Sequence, residues 1–208
     1  MAQLFHIHPE QPQARLIKHA AEIARSGGLI AMPTDAAYSL VGVAGYAPLL
    51  DRIRQIRGVD DRHLFTLMCR DLSEIATYAR VDNVQYRLLK ATTPGSYTFI
   101  LEGTKELPRR LMHPKRKTIG LRVPDHPVAL ALLEALNEPL LTTTLHMPGD
   151  EDPLTEGWEI QDRLEDQIEL ILDAGHCGIE PTTIIDMTGA APELVRAGRG
   201  PLSVFGLD

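Results

Sequence analysis

Two cysteines in 208 residues, Cys69 and Cys177, give no material for a disulfide framework, and neither sits in a metal-ligand spacing. A reducing cytoplasm is therefore the expected compartment. No apolar run reaches the length of a bilayer span, and the first residues lack the basic and apolar regions of a signal peptide, so no membrane partner is expected. Glycine motifs that cradle phosphates are missing too. There is no P-loop, and no predicted strand is followed by Gly-x-Gly-x-x-Gly, which leaves a Rossmann cofactor site unsupported. His-Glu-x-x-His is absent. His6 and His8 alternate on one short stretch, and His113, His126, His146 and His176 are scattered, so no protein-bound metal is expected. No Gly-x-Ser-x-Gly elbow points to a serine hydrolase. Internal repeats and low-complexity tracts are also lacking.

The composition that remains is globular, with 44% apolar and 24% charged residues, and the length fits one α/β domain better than two. Acidic side chains outnumber basic ones, 28 to 21, for a net charge of −7. That balance argues against a dedicated nucleic-acid binder. The charge is uneven, however. Arg52, Arg54, Arg57 and Arg62 crowd one segment, and Arg109, Arg110, Lys115, Arg116, Lys117 and Arg122 another. Acidic residues gather in Asp150-Glu151-Asp152 and from Glu156 to Asp173. A basic patch on an acidic protein suits a small anionic ligand or a local RNA contact.

Hydrophobic periodicity predicts alternating helices and strands, the signature of an α/β fold. Helices are expected over Pro12–Arg25, with Leu16, Ala20 and Ile23 inward, over Pro48–Arg57, after Asp71, from Asp82 to about Lys90, over Pro127–Leu136 and over Glu159–Asp166. Strands are expected over Leu4–Ile7, Leu29–Met32, Leu64–Cys69, Ser96–Glu102, Thr118–Val123, Pro139–Leu145, Ile168–Leu172, Thr183–Asp186 and Leu194–Arg196. Residues 108–117 read as a basic loop or helical turn, and 147–157 as an acidic loop with no packing signal.

One stretch organises the rest. Gly27-Gly28 closes a helix, Leu29 to Met32 is a buried strand, and Pro33 stops it because proline cannot donate to a ladder. Thr34 and Asp35 then stand at a strand's carboxyl end, where open α/β sheets bind ligands. Other strands also end in polar residues: Thr142-Thr143-Thr144 and Asp186. Alternation puts Thr142 and Thr144 on one face and Thr143 on the other. Converging strand ends would form one hydroxyl-lined cleft, with charge from Arg57, Arg122 and Arg196. Guanidinium forks bind phosphate and carboxylate, so the chemistry suits a nucleotide or an acidic metabolite.

Six pieces in order resemble the YrdC/YciO family: Pro33-Thr34-Asp35 with Tyr38, Thr93-Pro94-Gly95 with Thr98, Arg122-Val123-Pro124, Pro139 to Gly149, Thr182-Thr183-Ile184 with Asp186, and Arg196-x-Gly198. Within the family, Phe65 to Leu72, Asp82-Asn83-Val84 and Gly103 to Arg110 resemble the YciO branch. The resemblance implies a single domain over residues 1–208, a twisted mixed open sheet flanked by helices with a concave basic cleft. It implies synthesis of threonylcarbamoyl-AMP from threonine, bicarbonate and ATP for tRNA modification, magnesium being held largely by the phosphates. The implied nucleotide and substrate site is Thr34, Arg57, His63, Arg122, Thr142, Thr144, His146, Thr182, Thr183 and Arg196. The family fold is also associated with double-stranded RNA, which would fall on Arg54, Arg109, Arg110, Lys115, Arg116 and Lys117.

The chain departs from the synthase pattern in its chemistry. The synthase Lys-x-Arg pair becomes Arg57-Gly58-Val59, Ser-x-Asn becomes Thr144-Leu145-His146, and the turn carries Ala36 and Ser39. Valine binds no anion, and a guanidinium fork replaces a compact ammonium. Weakened or altered synthase activity is the expectation, with non-catalytic RNA binding as the alternative.

Overall fold

The computed structural model describes residues 1–208. In chain order it runs β1 (Gln3–His6), α1 (Ala14–Arg25), β2 (Ile30–Met32), β3 (Ser39–Val43), α2 (Pro48–Arg57), β4 (Thr66–Met68), α3 (Leu72–Tyr78) and α4 (Asn83–Thr92). It continues through β5 (Tyr97–Glu102), β6 (Thr118–Arg122), α5 (Pro127–Leu136), β7 (Leu140–Thr144), α6 (Gly157–Leu164), β8 (Leu170–Asp173), β9 (Thr183–Asp186) and β10 (Glu193–Arg196). Two short 3-10 turns lie at Arg109–Leu111 and Ser203–Phe205.

All ten strands join one mixed sheet in the order β1-β8-β2-β3-β7-β4-β6-β5-β9-β10. The fold is one α/β domain with an open sheet. On one face α1 and α5 pack Ile17, Ala20, Val128 and Leu132 against Met32, Val41, Met68 and Leu140. The other face carries the larger cluster, with Leu49 and Ile53 of α2, Ile75 of α3, Leu89 of α4 and Ile160 of α6. Side chains alternate along a strand. The face bearing Met68 and Leu140 therefore also bears Thr66, Thr142 and, across the ladder, Gly120. No apolar helix residues cover these three, and that bare stretch becomes the cleft.

The expected elements form with small shifts and one omission. Residues 39–43, not expected as a strand, form β3, which pairs antiparallel with both β2 and β7. Gly42 hides the strand pattern there. Its missing side chain makes room for Leu49 of α2, whose Cδ1 occupies the place a Cβ would take. The fully buried stripe of α1 is Ile17, Ala20, Ala21 and Ala24, and the expected Leu16 and Ile23 pack, partly buried, along its edges, because the alanines let the helix sit close to α5 and the sheet. Gly27 has φ +84°, as a helix end requires, and a Cβ there would meet the Tyr46 ring at 2.7 Å.

Capping follows the sequence. Asp82 and Gln85 form a reciprocal box, while Asp71 accepts from the Glu74 amide and Glu74 instead accepts from the Arg70 amide. The acidic loop after β7 is better anchored than its composition predicts. Leu154 is buried, its amide donates to Leu145 O at 3.0 Å, and Asp150 pairs with Arg163 at 3.0 Å. No helix is long and apolar enough to cross a membrane.

Candidate functional site

β4 begins at Thr66, opposite Thr142, so the last two residues of β7 overhang it. Into that gap come Arg57, from the end of α2, and His63, from the loop that follows. The opposite wall is the Thr34–Ala37 turn, and the far end is closed by Thr182 and Arg196. The result is a cleft of about 520 Å³ that holds nine of the ten expected site residues: Thr34, Arg57, His63, Arg122, Thr142, Thr144, His146, Thr182 and Arg196. Thr183 is the exception and corrects the expectation. It faces the other side of β9, fully buried, donating to Gly200 O at 2.7 Å and accepting from the Gly198 amide at 3.1 Å. Its place in the strand's alternation makes it a fastener of the C-terminal tail.

Lining the cleft and presenting a free group are different things. The Thr34 hydroxyl donates to Ala37 O at 2.6 Å and accepts from the Ala36 and Ala37 amides, so it shapes the turn. His146 joins its ring Nε2 to Asp150 O at 2.8 Å and holds the acidic loop. Thr182 shares a hydrogen bond with Thr98 at 2.8 Å. By contrast, Ser39, Thr66, Thr142 and Thr144 line the cleft without a side-chain partner, and Thr142 Oγ1 is buried. Ser39 and Thr66 were not among the expected site residues. Their signal was the strand pairing that sets both beside the β7 threonines, which is invisible along the chain.

Each arginine is anchored. Arg57 donates through Nε to His146 O at 2.7 Å and through its fork to the Thr143 hydroxyl. Thr143, expected to face away from Thr142, is thus the arginine's seat, and His63 Nε2 lies 3.3 Å from the same hydroxyl. Arg196 bonds Thr182 through both its main-chain oxygen, at 2.8 Å, and its hydroxyl, at 3.2 Å. Arg122 forms a buried ion pair with Asp35, whose second oxygen accepts from Ser96 Oγ at 2.9 Å. Burial lowers the pKa of Arg57, Arg122 and Arg196, and Asp35 opposes that effect at Arg122.

Burial, then Arg57 and Arg54, push the pKa of His63 down, with Asp60 opposing. The unfolded histidine titrates near the usual value, so below it the unfolded chain takes up the proton first. Stability should be complete above that value and fall as pH drops through the lower folded pKa. The His63→Gln variant should lose less stability than the native chain between pH 7.5 and 5.5. Urea midpoints measured at both pH values check this, and an identical loss would refute it. His126, also lowered by burial with Asp35 and Asp125 opposing, contributes acid sensitivity of the same sign.

The residues expected to touch RNA divide. Arg54 lies with its guanidinium 5.4 Å from the Phe65 ring centre and pairs with Asp51 at 3.6 Å, so it is a packing residue beneath His63 and not part of a basic surface. Arg109, Arg110, Lys115, Arg116 and Lys117 are exposed and lie outside the cleft. Arg110 is tied to Ala44 O at 3.0 Å, and Arg116 is 3.9 Å from Asp186. No group of three or more His, Cys, Asp or Glu side chains is placed to hold a metal.

Comparison with known proteins bears on the family and the fold. A family model named for Sua5, YciO and YrdC, and described as telomere recombination, matches residues 22–198. The chain is 55% identical over 205 residues to a protein named YciO from Escherichia coli, covering 99% of this chain and 100% of that one. The crystal structure of E. coli YciO superposes with a TM-score of 0.94. A Sua5 structure from Pyrococcus abyssi, complexed with L-threonine, matches with a TM-score of 0.88 at 26% identity, over 96% of this chain and 58% of that one. Human threonylcarbamoyl-AMP synthase is 28% identical over 162 residues, 78% of this chain and 57% of that protein.

Proposed function

The chain belongs to the Sua5/YciO/YrdC family, and on that premise we propose that its cleft binds ATP or AMP together with L-threonine. We further propose a weakened or altered threonylcarbamoyl-AMP synthase activity, serving tRNA modification in the cytoplasm. Magnesium enters with the phosphates as part of the substrate. One observation carries the reading. Four unpartnered hydroxyls, of Ser39, Thr66, Thr142 and Thr144, share a nucleotide-sized cleft with the anchored Arg57. Such groups orient a ribose, a carbamate or a phosphate without any further change in the protein.

In that reaction the threonine amine and bicarbonate condense to a carbamate with loss of water. A carbamate oxygen then attacks the α-phosphorus of ATP, and the bond to pyrophosphate breaks. Val59 carries no charge, so the arginine of the synthase Lys-x-Arg pair has no counterpart at this position, which supports weak turnover. Incubation with ATP, bicarbonate and L-threonine should release pyrophosphate above a blank that lacks threonine. Arg57→Ala should lower that rate about tenfold or more. No product, with no heat on adding ATP or AMP, would remove the reading.

A second reading rests on the exposed Arg109, Arg110, Lys115, Arg116 and Lys117. These would bind double-stranded RNA through its phosphates, without catalysis. Affinity would then fall steeply with salt, and charge reversal at Arg109, Arg110 and Lys115 would abolish it. A salt-independent Kd rules this reading out.

A further inference from the structure

The cleft is rich in arginine yet close to neutral. Arg57, Arg122 and Arg196 line it, but Arg122 is paired with Asp35, which lines the neighbouring cavity, and Glu151 and Asp152 stand at its rim. With Arg122 neutralised by Asp35, two arginines remain against two carboxylates. His63 adds no charge at neutral pH, because burial and its arginine neighbours hold it in the neutral form.

Glu151 and Asp152 have no cationic partner of their own. They are held at the rim by the anchoring on either side of them: Asp150 to Arg163 and to the His146 ring, and Leu154 to the core. The groups still waiting for partners are mostly uncharged. They include the hydroxyls of Ser39, Thr66, Thr142 and Thr144, with Thr142 Oγ1 buried. Arg122 gives one fork nitrogen to Asp35, and its buried Nε has no partner.

We infer that the cleft selects a nucleoside or a nucleoside monophosphate ester, acyl adenylates included, and disfavours the free nucleoside triphosphate. The inference rests on the nucleotide reading above and deepens it. A triphosphate brings several negative charges into a site where carboxylates match arginines, so its added phosphates gain no net attraction and meet Glu151 and Asp152 at the mouth. An adenylate brings one phosphate, which Arg57 can meet, and a ribose and acyl group that the threonine hydroxyls can meet. The site is thus better matched to the adenylate end of the reaction than to its ATP end, which accounts physically for weakened synthesis.

Calorimetric titration with adenosine, AMP and ATP at fixed ionic strength, with and without magnesium, tests this. AMP should bind the native chain about tenfold more tightly than ATP. In the Glu151→Gln/Asp152→Asn double variant that ratio should shrink about three- to tenfold, through tighter ATP binding with AMP nearly unchanged. ATP binding as tightly as AMP to the native chain would overturn the inference. So would a ratio that the double variant leaves unchanged. Magnesium-dependent ATP binding that the double variant abolishes would also overturn it, by making the rim carboxylates an escort for the metal. If none of the three ligands binds, the nucleotide reading falls and this inference falls with it. Equal binding of AMP and ATP overturns the selectivity alone.

Discussion

The Asp35→Ala variant is expected to lose about 3 kcal/mol of stability, because it leaves the Arg122 guanidinium buried without its counter-charge. Arg122 is 5% exposed, and its Nε already lacks a partner. Its fork is held by Asp35 alone. Removing the aspartate also strips the acceptor from Ser96 Oγ. A urea unfolding curve measures the loss. The control is a double variant, Asp35→Leu with Arg122→Met, which replaces both charges by apolar groups. It should recover a large part of the stability, since a buried pair costs more to break than to replace. If Asp35→Ala unfolds at the native midpoint, the ion pair is solvated and the cleft wall is less rigid than its geometry indicates.

The second large effect concerns space. Gly120 sits in β6 between Thr66 and Thr98, both of which line the cleft. A Cβ at this position would stand 3.1 Å from Thr98 Cγ2 and 3.3 Å from Thr66 Oγ1. The two threonines would have to yield by a few tenths of an ångström. In Gly120→Val the added methyls project over the floor where ligand atoms would lie. AMP affinity should then fall about a hundredfold, while overpacking costs roughly 1–3 kcal/mol of stability. Calorimetry with AMP and a parallel denaturation curve separate the two. A folded Gly120→Val chain that binds AMP normally would move the ligand away from this floor. Gly120→Ala should fall between the native chain and Gly120→Val.

Together these variants bear on how the family pattern has been altered. The Thr34 turn is retained as architecture, with its hydroxyl closing the turn, its aspartate neutralising Arg122 and its alanines forming part of the wall. Ser39, one of the turn's departures from the synthase pattern, opens β3 and lies opposite Thr144. It adds a hydroxyl beside the β7 overhang. His146 ties the acidic loop in place, so the same substitution that removes an asparagine also fixes two carboxylates at the mouth. These changes move the cleft toward hydroxyls and charge balance, and away from a strongly anionic ligand.

Local signals carried much of this. Apolar periodicity, the Asp82–Gln85 cap, the proline after Met32 and the glycine pair before Leu29 act over a few residues, so the sequence determined the α/β class and most of the helices and strands. The order of six short motifs, carried by the residues themselves, determined the family and seven of the nine expected residues that line the cleft, Arg57 and His63 lying outside those motifs. Tertiary structure decided the rest, because the deciding contacts join residues far apart in the chain. The pairing of β7 with β3 and β4 exposed Ser39 and Thr66, and alternation within β9 turned Thr183 away. Arg122 and Asp35 lie 87 residues apart, and no local pattern announces that one neutralises the other. Residue types alone pointed to arginines and threonines for a site; their partners decided which hydroxyls stay free and how much charge the cleft keeps.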